Sequence, residues 1–381
     1  MSEWKTTWSY VKRPLATGMP RMAVADHRQT AVIRNNLSGD AVRILLSNAG
    51  NKTPVDFDFM ELTVSGRTPM NVTLNGSPKI HLDANAECQS DEITVAVKPG
   101  EPITISTGVS GSFPVVDSVT NYSQWLNNVT REGRLTYPLI GRKIFSETYG
   151  SDDCMWLYGF RGIQVRTDEK TKTVAAFGDS ITHMSHWTVP LTEFLYEKYP
   201  GTVAVKNCGI GGNRLLRDSS RFLFIKGLFG PAGTDRFESD VFGEGHTDTV
   251  LVMEGVNDIA HPVEFKKPGE VPTAEDLIRG FEKLADIAHR RGAKIYLCTI
   301  LPFGGYKVWN DGLENTRRQV NDWIRTDSCT DGHFDLDPVI SEGGKGVRID
   351  GRYHAGDHLH PNAEGGKKIA EYIDGRLNET F

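Results

Sequence analysis

From about Gln29 to Ser112 the chain runs in short alternations of apolar and polar residues: "AVRILLSNAG", "MELTVSG", "NVTLNG", "EITVAVKPG" and "PITISTGVSG". They recur at a spacing of roughly ten residues and are parted by glycine, proline and asparagine. A two-residue period leaves one face of each segment apolar, and the Asn-Gly and Pro-Gly pairs supply the backbone geometry of tight hairpins. No helical period competes with it. The pattern predicts an all-β sandwich, jelly-roll-like in organisation.

After Lys172 the pattern changes. "TVAAFGDS", "VAVKNCGIGG", "DTVLVMEGVND" and "KIYLCTILPF" are nearly continuous apolar runs, as expected of parallel strands buried on both faces. Amphipathic stretches lie between them. Thr273 to Arg291 opens with the capping box "TAED" and stops at Gly292, which predicts a helix over that span. Strand and helix in alternation predict a parallel sheet with right-handed crossovers and helices on both faces, a three-layer α/β/α domain. Two domains are therefore expected: 1–171, a β-sandwich with a connecting segment, and 172–381, the α/β domain. Asn121 to Thr171, with "WLYGF" and "GIQVRT", reads only as connection, its strands fitting either domain.

Composition narrows the partners. A chain of 381 residues exceeds the usual single core, in keeping with two domains. With 24% charged residues and a net charge of -6 there is no electrostatic reason to expect nucleic acid or an anionic membrane. The N-terminal "MSEWKTTWSYVKRPL" lacks the apolar stretch of a secretory signal, and no window approaches the ~20 apolar residues of a membrane span, so a cytoplasmic location is expected. Cys88, Cys154, Cys208, Cys298 and Cys329 are scattered without a C-x-x-C pair, which argues against a disulfide framework and a zinc knuckle.

In an open parallel sheet, reactive groups collect beyond the carboxyl ends of the strands. The first apolar run ends in Gly178-Asp179-Ser180, the second in "NCGIGGN" (Asn207 to Asn213) and the third in "GVND" (Gly255 to Asp258). Near the C-terminus stands "GDHLHPN", Gly356 to Asn362. Each block alone reads equally well as a polar turn. Together and in this order they are specific, and over about Thr173 to Phe381 the chain resembles the SGNH (GDSL-type) hydrolases. The leading β-region resembles, more loosely, a subgroup of bacterial SGNH proteins with an N-terminal β-sandwich. The resemblance implies Ser180 as nucleophile, Asp357 and His360 as the other triad members, and Gly212 and Asn257 as oxyanion-hole donors with the Ser180 N–H.

The residue types suit those roles. A serine at a strand-to-helix turn sits where backbone N–H groups and the helix dipole favour a negative oxygen. Gly212 offers an amide without an obstructing side chain, and Asn257 a side-chain N–H. If the turn before Pro361 curls like one helical turn, Asp357 lies beside His360 Nδ1 and leaves Nε2 for Ser180. Pro361 is preorganised for a first helical position, placing His360 at the mouth of the final helix.

Other features point less sharply. His183, His186, His354, His358 and His360 show no helical ligand spacing with a third carboxylate, so neither a catalytic metal nor a cofactor is expected. His183 stands where this family often has an aspartate after "GDSIT", a departure expected to affect the pocket floor. His358 is expected on the opposite side of an extended dipeptide from His360. Trp187 and Trp309 read equally as pocket lining or core. No serine lies in a Gly-x-Ser-x-Gly elbow, which disfavours the α/β-hydrolase fold and leaves the flavodoxin-like three-layer type as the expected one.

The expected activity is that of a serine esterase acting on a small-molecule or oligosaccharide ester through an acyl-enzyme on Ser180. The resemblance implies short acyl groups, acetyl esters on carbohydrate among them. Two other readings stay open: an acyltransferase using the same acyl-enzyme, and a glycan-binding protein with a silent hydrolase platform. The β-region reads either as a structural appendage or as a module that shapes substrate access.

Overall fold

The computed structural model describes residues 2–11, 22–115, 126–136, 157–168, 170–218, 229–326 and 329–377. The chain divides into two compact units, Met1–Thr171 with Tyr199–Lys206, and Lys172–Lys198 with Asn207–Phe381.

The first unit is built of antiparallel strands. One sheet has the order β1 (Ser2–Ser9), β12 (Gly159–Asp168), β3 (Gly39–Ser47), β8 (Glu87–Gln89), with β9 (Ile93–Val97) also paired to β3. A second has the order β11 (Leu126–Thr136), β2 (Met22–Arg34), β10 (Pro102–Val115), β5 (Phe59–Val64), β6 (Met70–Asn71). β4 (Val55–Phe57) and β7 (Ile80–Leu82) form a pair of their own. The alternation seen in the sequence is the burial pattern: β5 buries Met60, Leu62 and Val64, and β9 buries Ile93, Val95 and Val97. This is the strand-rich, sandwich-like architecture expected from the two-residue period.

One expectation needs correction, and one open reading is decided. "NVTLNG" contributes only its first residue to a strand. It then closes a tight turn in which Leu74 and Ser77 exchange backbone hydrogen bonds, because Asn75 and Gly76 take positive φ. "GIQVRT", whose strand fitted either domain, is part of β12 in the first unit and pairs with β1 from Ser2↔Asp168 onward. A pairing between chain segments so far apart leaves no trace in local periodicity. The remainder of the expected connecting segment, including Trp156 of "WLYGF" and Cys154, lies largely outside the described residues.

A third sheet has the order β14 (Val203–Gly209), β13 (Lys172–Gly178), β15 (Thr249–Met253), β16 (Lys294–Cys298), β17 (Gly332–Phe334), and apart from the first half of β14 its strands belong to the second unit. The pairings β13–β15, β15–β16 and β16–β17 are parallel. β15 is buried along its whole length, which is why its sequence is a continuous apolar run. The helices are α1 (Ser180–His183), α2 (Thr188–Lys198), α3 (Gly233–Phe242), α4 (Val256–Glu264), α5 (Ala274–Arg290), α6 (Asp311–Thr326), α7 (Asp337–Ile340) and α8 (Ala363–Leu377). α5 carries the expected reciprocal box between Thr273 and Asp276 and buries Leu277, Phe281, Leu284 and Ala288. The strand order 2-1-3-4-5 is flavodoxin-like, and its switch point lies between β14 and β15, at the end of β13. Ser180 follows that strand end after one residue, Asp179. Among the described residues no helix is long and apolar enough to cross a membrane.

Candidate active site

β13 ends at Gly178 and the chain turns at once into the single turn of α1. A Cβ on Gly178 would collide with the Met253 carbonyl of β15 and the Thr182 hydroxyl, so the strand can end this close to its neighbours only as glycine. Asp179 caps α1, its Oδ1 accepting the Ile181 N–H at 2.9 Å. Ser180 is thereby the first helical residue and stays half-buried. Its Oγ lies 2.8 Å from His360 Nε2, and His360 Nδ1 lies 2.6 Å from Asp357 Oδ2. Burial works to raise the Asp357 pKa. Hydrogen bonds from the His360 ring and from the backbone N–H groups of His360 and Leu359 outweigh it and hold the carboxyl well below the usual carboxylate range. An ionised carboxylate only accepts, so Nδ1 carries the proton and Nε2 presents a lone pair to the serine hydroxyl.

The reach of Asp357 is achieved otherwise than by a helical turn. Asp357 Oδ1 accepts the N–H groups of Leu359 and His360, each at 3.0 Å, while His358 takes a left-handed φ of 62°. The carboxylate folds the turn around itself. His358 is therefore not the far side of an extended dipeptide: its ring lies on His354, centroids 4.3 Å apart. Nor is Pro361 the first helical residue. α8 starts at Ala363, with Asn362 Oδ1 accepting the Gly365 N–H at 2.9 Å, and Pro361 bridges to His354. His186 Nδ1 donates to the Pro361 carbonyl at 2.7 Å and so holds the peptide just past His360.

The loop after β14 supplies the other wall. Gly212 has φ +71°, and a Cβ there would collide with the Phe229 ring, so two separate constraints require glycine. Among the described residues, neither the Ser180 nor the Gly212 N–H meets a backbone acceptor. Asn257 Nδ2 donates to the Asn213 carbonyl at 3.0 Å, which orients the amide and leaves its second N–H. His183 is buried, and its Nδ1 accepts the Gly211 N–H at 3.0 Å, steadying the residue before Gly212. Trp187 is core, at 1% exposure, and Trp309 reaches Glu314 at 3.5 Å.

A residue that the sequence did not single out ties these parts together. Arg236 on α3 is buried, stacked over Phe177, and donates to the Gly178 carbonyl at 2.9 Å, the Cys208 carbonyl at 2.8 Å, Asn213 Oδ1 at 2.8 Å and Asp240 Oδ2 at 2.8 Å. One planar cation thus binds the ends of β13 and β14 and the loop beyond. Asp258, next to Asn257, accepts the N–H groups of Leu215 at 2.6 Å and Leu216 at 3.0 Å. Burial pushes the Asp258 carboxyl up to about 6, the two backbone bonds opposing. Burial likewise raises Asp179 to about 7, and raises Glu254, whose Oε2 lies 4.0 Å from Arg236, well above its ordinary value. An arginine on an amphipathic helix reads as surface, and only the fold shows it inside.

Among solved structures the chain is similar to a carbohydrate acetylesterase from Sinorhizobium meliloti, with 15% identity, TM-score 0.42 and coverage of 55% of this chain and 100% of that one. It is similar to a variant of the acetyl xylan esterase Axe2 from Geobacillus stearothermophilus, with 21% identity, TM-score 0.42 and coverage of 55% and 94%. The aryl esterase of M. smegmatis gives 16% identity, TM-score 0.42 and coverage of 55% and 100%. No curated protein matches the sequence. Residues 176–368, half of the chain, span the strand end that presents Ser180, the loop of Gly212, the start of α4 and the turn of His360, and they match the GDSL-like lipase/acylhydrolase family, so the chain belongs to that family and is a carboxylic ester hydrolase.

Proposed function

We propose that the protein is a serine esterase in which Ser180, His360 and Asp357 form the catalytic triad. The observation that supports it most is the unbroken relay of 2.8 Å and 2.6 Å from Ser180 Oγ through His360 to Asp357. As Ser180 attacks the ester carbonyl, Nε2 takes its proton, and Asp357 stabilises the imidazolium without becoming protonated. The oxyanion forms against the N–H groups of Ser180 and Gly212 and the second N–H of Asn257. Collapse of the tetrahedral species transfers the proton from His360 to the leaving alcohol and leaves an acyl-enzyme, which water attacks with His360 again as base. The acyl group is short, with acetyl the first choice, and carbohydrate esters are the substrates of choice. We take the two domains to be 1–171 and 172–381, although Tyr199–Lys206 groups with the first compact unit.

The test is p-nitrophenyl acetate with rapid mixing. A burst of p-nitrophenol, and a fluorophosphonate adduct on the peptide carrying Ser180, are expected. Labelling at another serine rejects the assignment, and faster turnover with an added alcohol identifies acyl transfer instead of hydrolysis.

A further inference from the structure

A strip of aromatic and polar side chains runs from the loop of Gly212 to the loop of His360. The Phe229 ring rests against Gly212, and its centroid lies 5.1 Å from that of His261. His261 stands on α4 four residues after Asn257, on the same face one turn on. Three residues further, Glu264 accepts the Tyr306 hydroxyl at 2.8 Å and pairs with Lys307 at 2.6 Å. Beside Tyr306, Gly305 packs on the His358 ring, which comes within 3.1 Å of where a Cβ would stand. The strip therefore starts at one proposed oxyanion donor and ends two residues from the proposed base.

Solvent reaches it. Phe229, His261, Glu264 and Tyr306 are each partly exposed, and the Lys307 side chain is 62% exposed. Burial pushes His261 down to about 4, against the charge of Glu264, so its ring is neutral at pH 7 and offers a face, one donor and one acceptor.

This chemistry suits some occupants and not others. An aliphatic chain laid along the strip would desolvate a carboxylate and an ammonium without replacing their hydrogen bonds. A sugar ring has C–H faces for the aromatic rings, and hydroxyls that can donate to a carboxylate and accept from an ammonium. The direction of the strip assigns the part of the substrate. The carbonyl oxygen faces Gly212 and Asn257, and the leaving oxygen must come within hydrogen-bond reach of His360 Nε2 to take its proton. The alcohol is thus the part that extends toward the His360 loop.

We propose that the strip Phe229–His261–Glu264–Lys307 binds the alcohol moiety of the ester and that this alcohol is a carbohydrate. The inference rests on the serine-esterase reading above. It is tested with a mono-O-acetylated methyl glycoside and butyl acetate as paired substrates, for the wild type, Glu264→Gln and Lys307→Met. The wild type is expected to prefer the glycoside. Each substitution is expected to lower kcat/KM for the glycoside about tenfold more than for butyl acetate, mainly through KM, the loss of one good hydrogen bond. Lys307 is exposed enough that its replacement leaves folding intact, which a melting curve checks. Equal losses on both substrates, or a wild type without preference, would overturn the inference while leaving an active esterase. A wild type that neither hydrolyses p-nitrophenyl acetate nor takes up a fluorophosphonate removes the esterase reading, and the subsite with it.

Discussion

Each unit encloses a polar centre. In the β-unit, His27 Nδ1 meets the Tyr158 hydroxyl at 2.8 Å, and Gln29 Nε2 donates to the Tyr158 carbonyl at 3.1 Å, all of them buried. In the α/β unit the centre behind Ser180 contains the guanidinium of Arg236 and the carboxyls of Asp179, Glu254 and Asp258, each at most 3% exposed. An imidazole, a phenol and an amide can be satisfied in pairs at modest cost. Burying ionisable groups costs several kcal/mol per ion before any pairing. The second unit accepts that cost where strand ends and loops must be held in one arrangement, and there the cluster contacts Gly178, Cys208 and Asn213, which border the proposed site. The first centre lies within a core; the second fixes the strand ends and the loop that border the proposed site.

That contrast can be broken by substitution. The largest effect is expected at the proposed nucleophile: Ser180→Ala should lower kcat for p-nitrophenyl acetate by about 10⁴-fold or more while the melting temperature barely moves. Loss of folding instead of loss of turnover would make Ser180 structural. Asn257→Ala should lower kcat by about 10²–10³-fold with little change in KM, since an oxyanion donor acts on the transition state. An unchanged kcat in steady-state assays removes Asn257 from the hole.

The charged centre should respond to pH. Asp179 in the folded chain ionises at about 7, above its ordinary 3.8, chiefly because of burial. A group with a raised folded pKa contributes stability that is full below the unfolded value and is lost as pH rises through the folded one. Asp179→Asn keeps an oxygen to cap α1 and cannot ionise. Chemical denaturation between pH 4 and 7 should therefore show the variant gaining on the wild type as pH rises, by on the order of 2–4 kcal/mol. A constant difference across that window refutes it. The neutral centre should give the smallest effect. His27→Phe leaves the Tyr158 hydroxyl without its imidazole, so a loss of about 1–3 kcal/mol is expected with kcat on p-nitrophenyl acetate unaltered. A fall in kcat would mean that the β-unit participates in turnover.

Much of the α/β unit was legible because its signals are local. The runs ending in Ser180, Asn213 and Asp258 are the strand ends of the sheet, and the box at Thr273 caps the expected helix. Ser180 and Asp357, named from their blocks, are each brought within hydrogen-bond distance of the His360 ring. The route that joins them was not legible. The Asp357 turn closes on its own backbone N–H groups, and His358 is left-handed, a conformation no spacing announces. In the β-unit, β1 and β12 went unseen as a pair because each becomes a strand of this sheet only beside the other.

By itself the amino-acid sequence determined the periods, hence the two architectures, and the identity and order of the blocks that carry the proposed triad. Tertiary structure alone decided which polar groups go inside and what they hold. Arg236 reaches the Gly178 carbonyl across 58 residues, and His186 reaches the Pro361 carbonyl across 175. Periodicity is written over a few residues, because a helix turn or a strand pleat repeats at that scale. Burial of one guanidinium is set by every element that closes over it, and those elements come from distant parts of the chain.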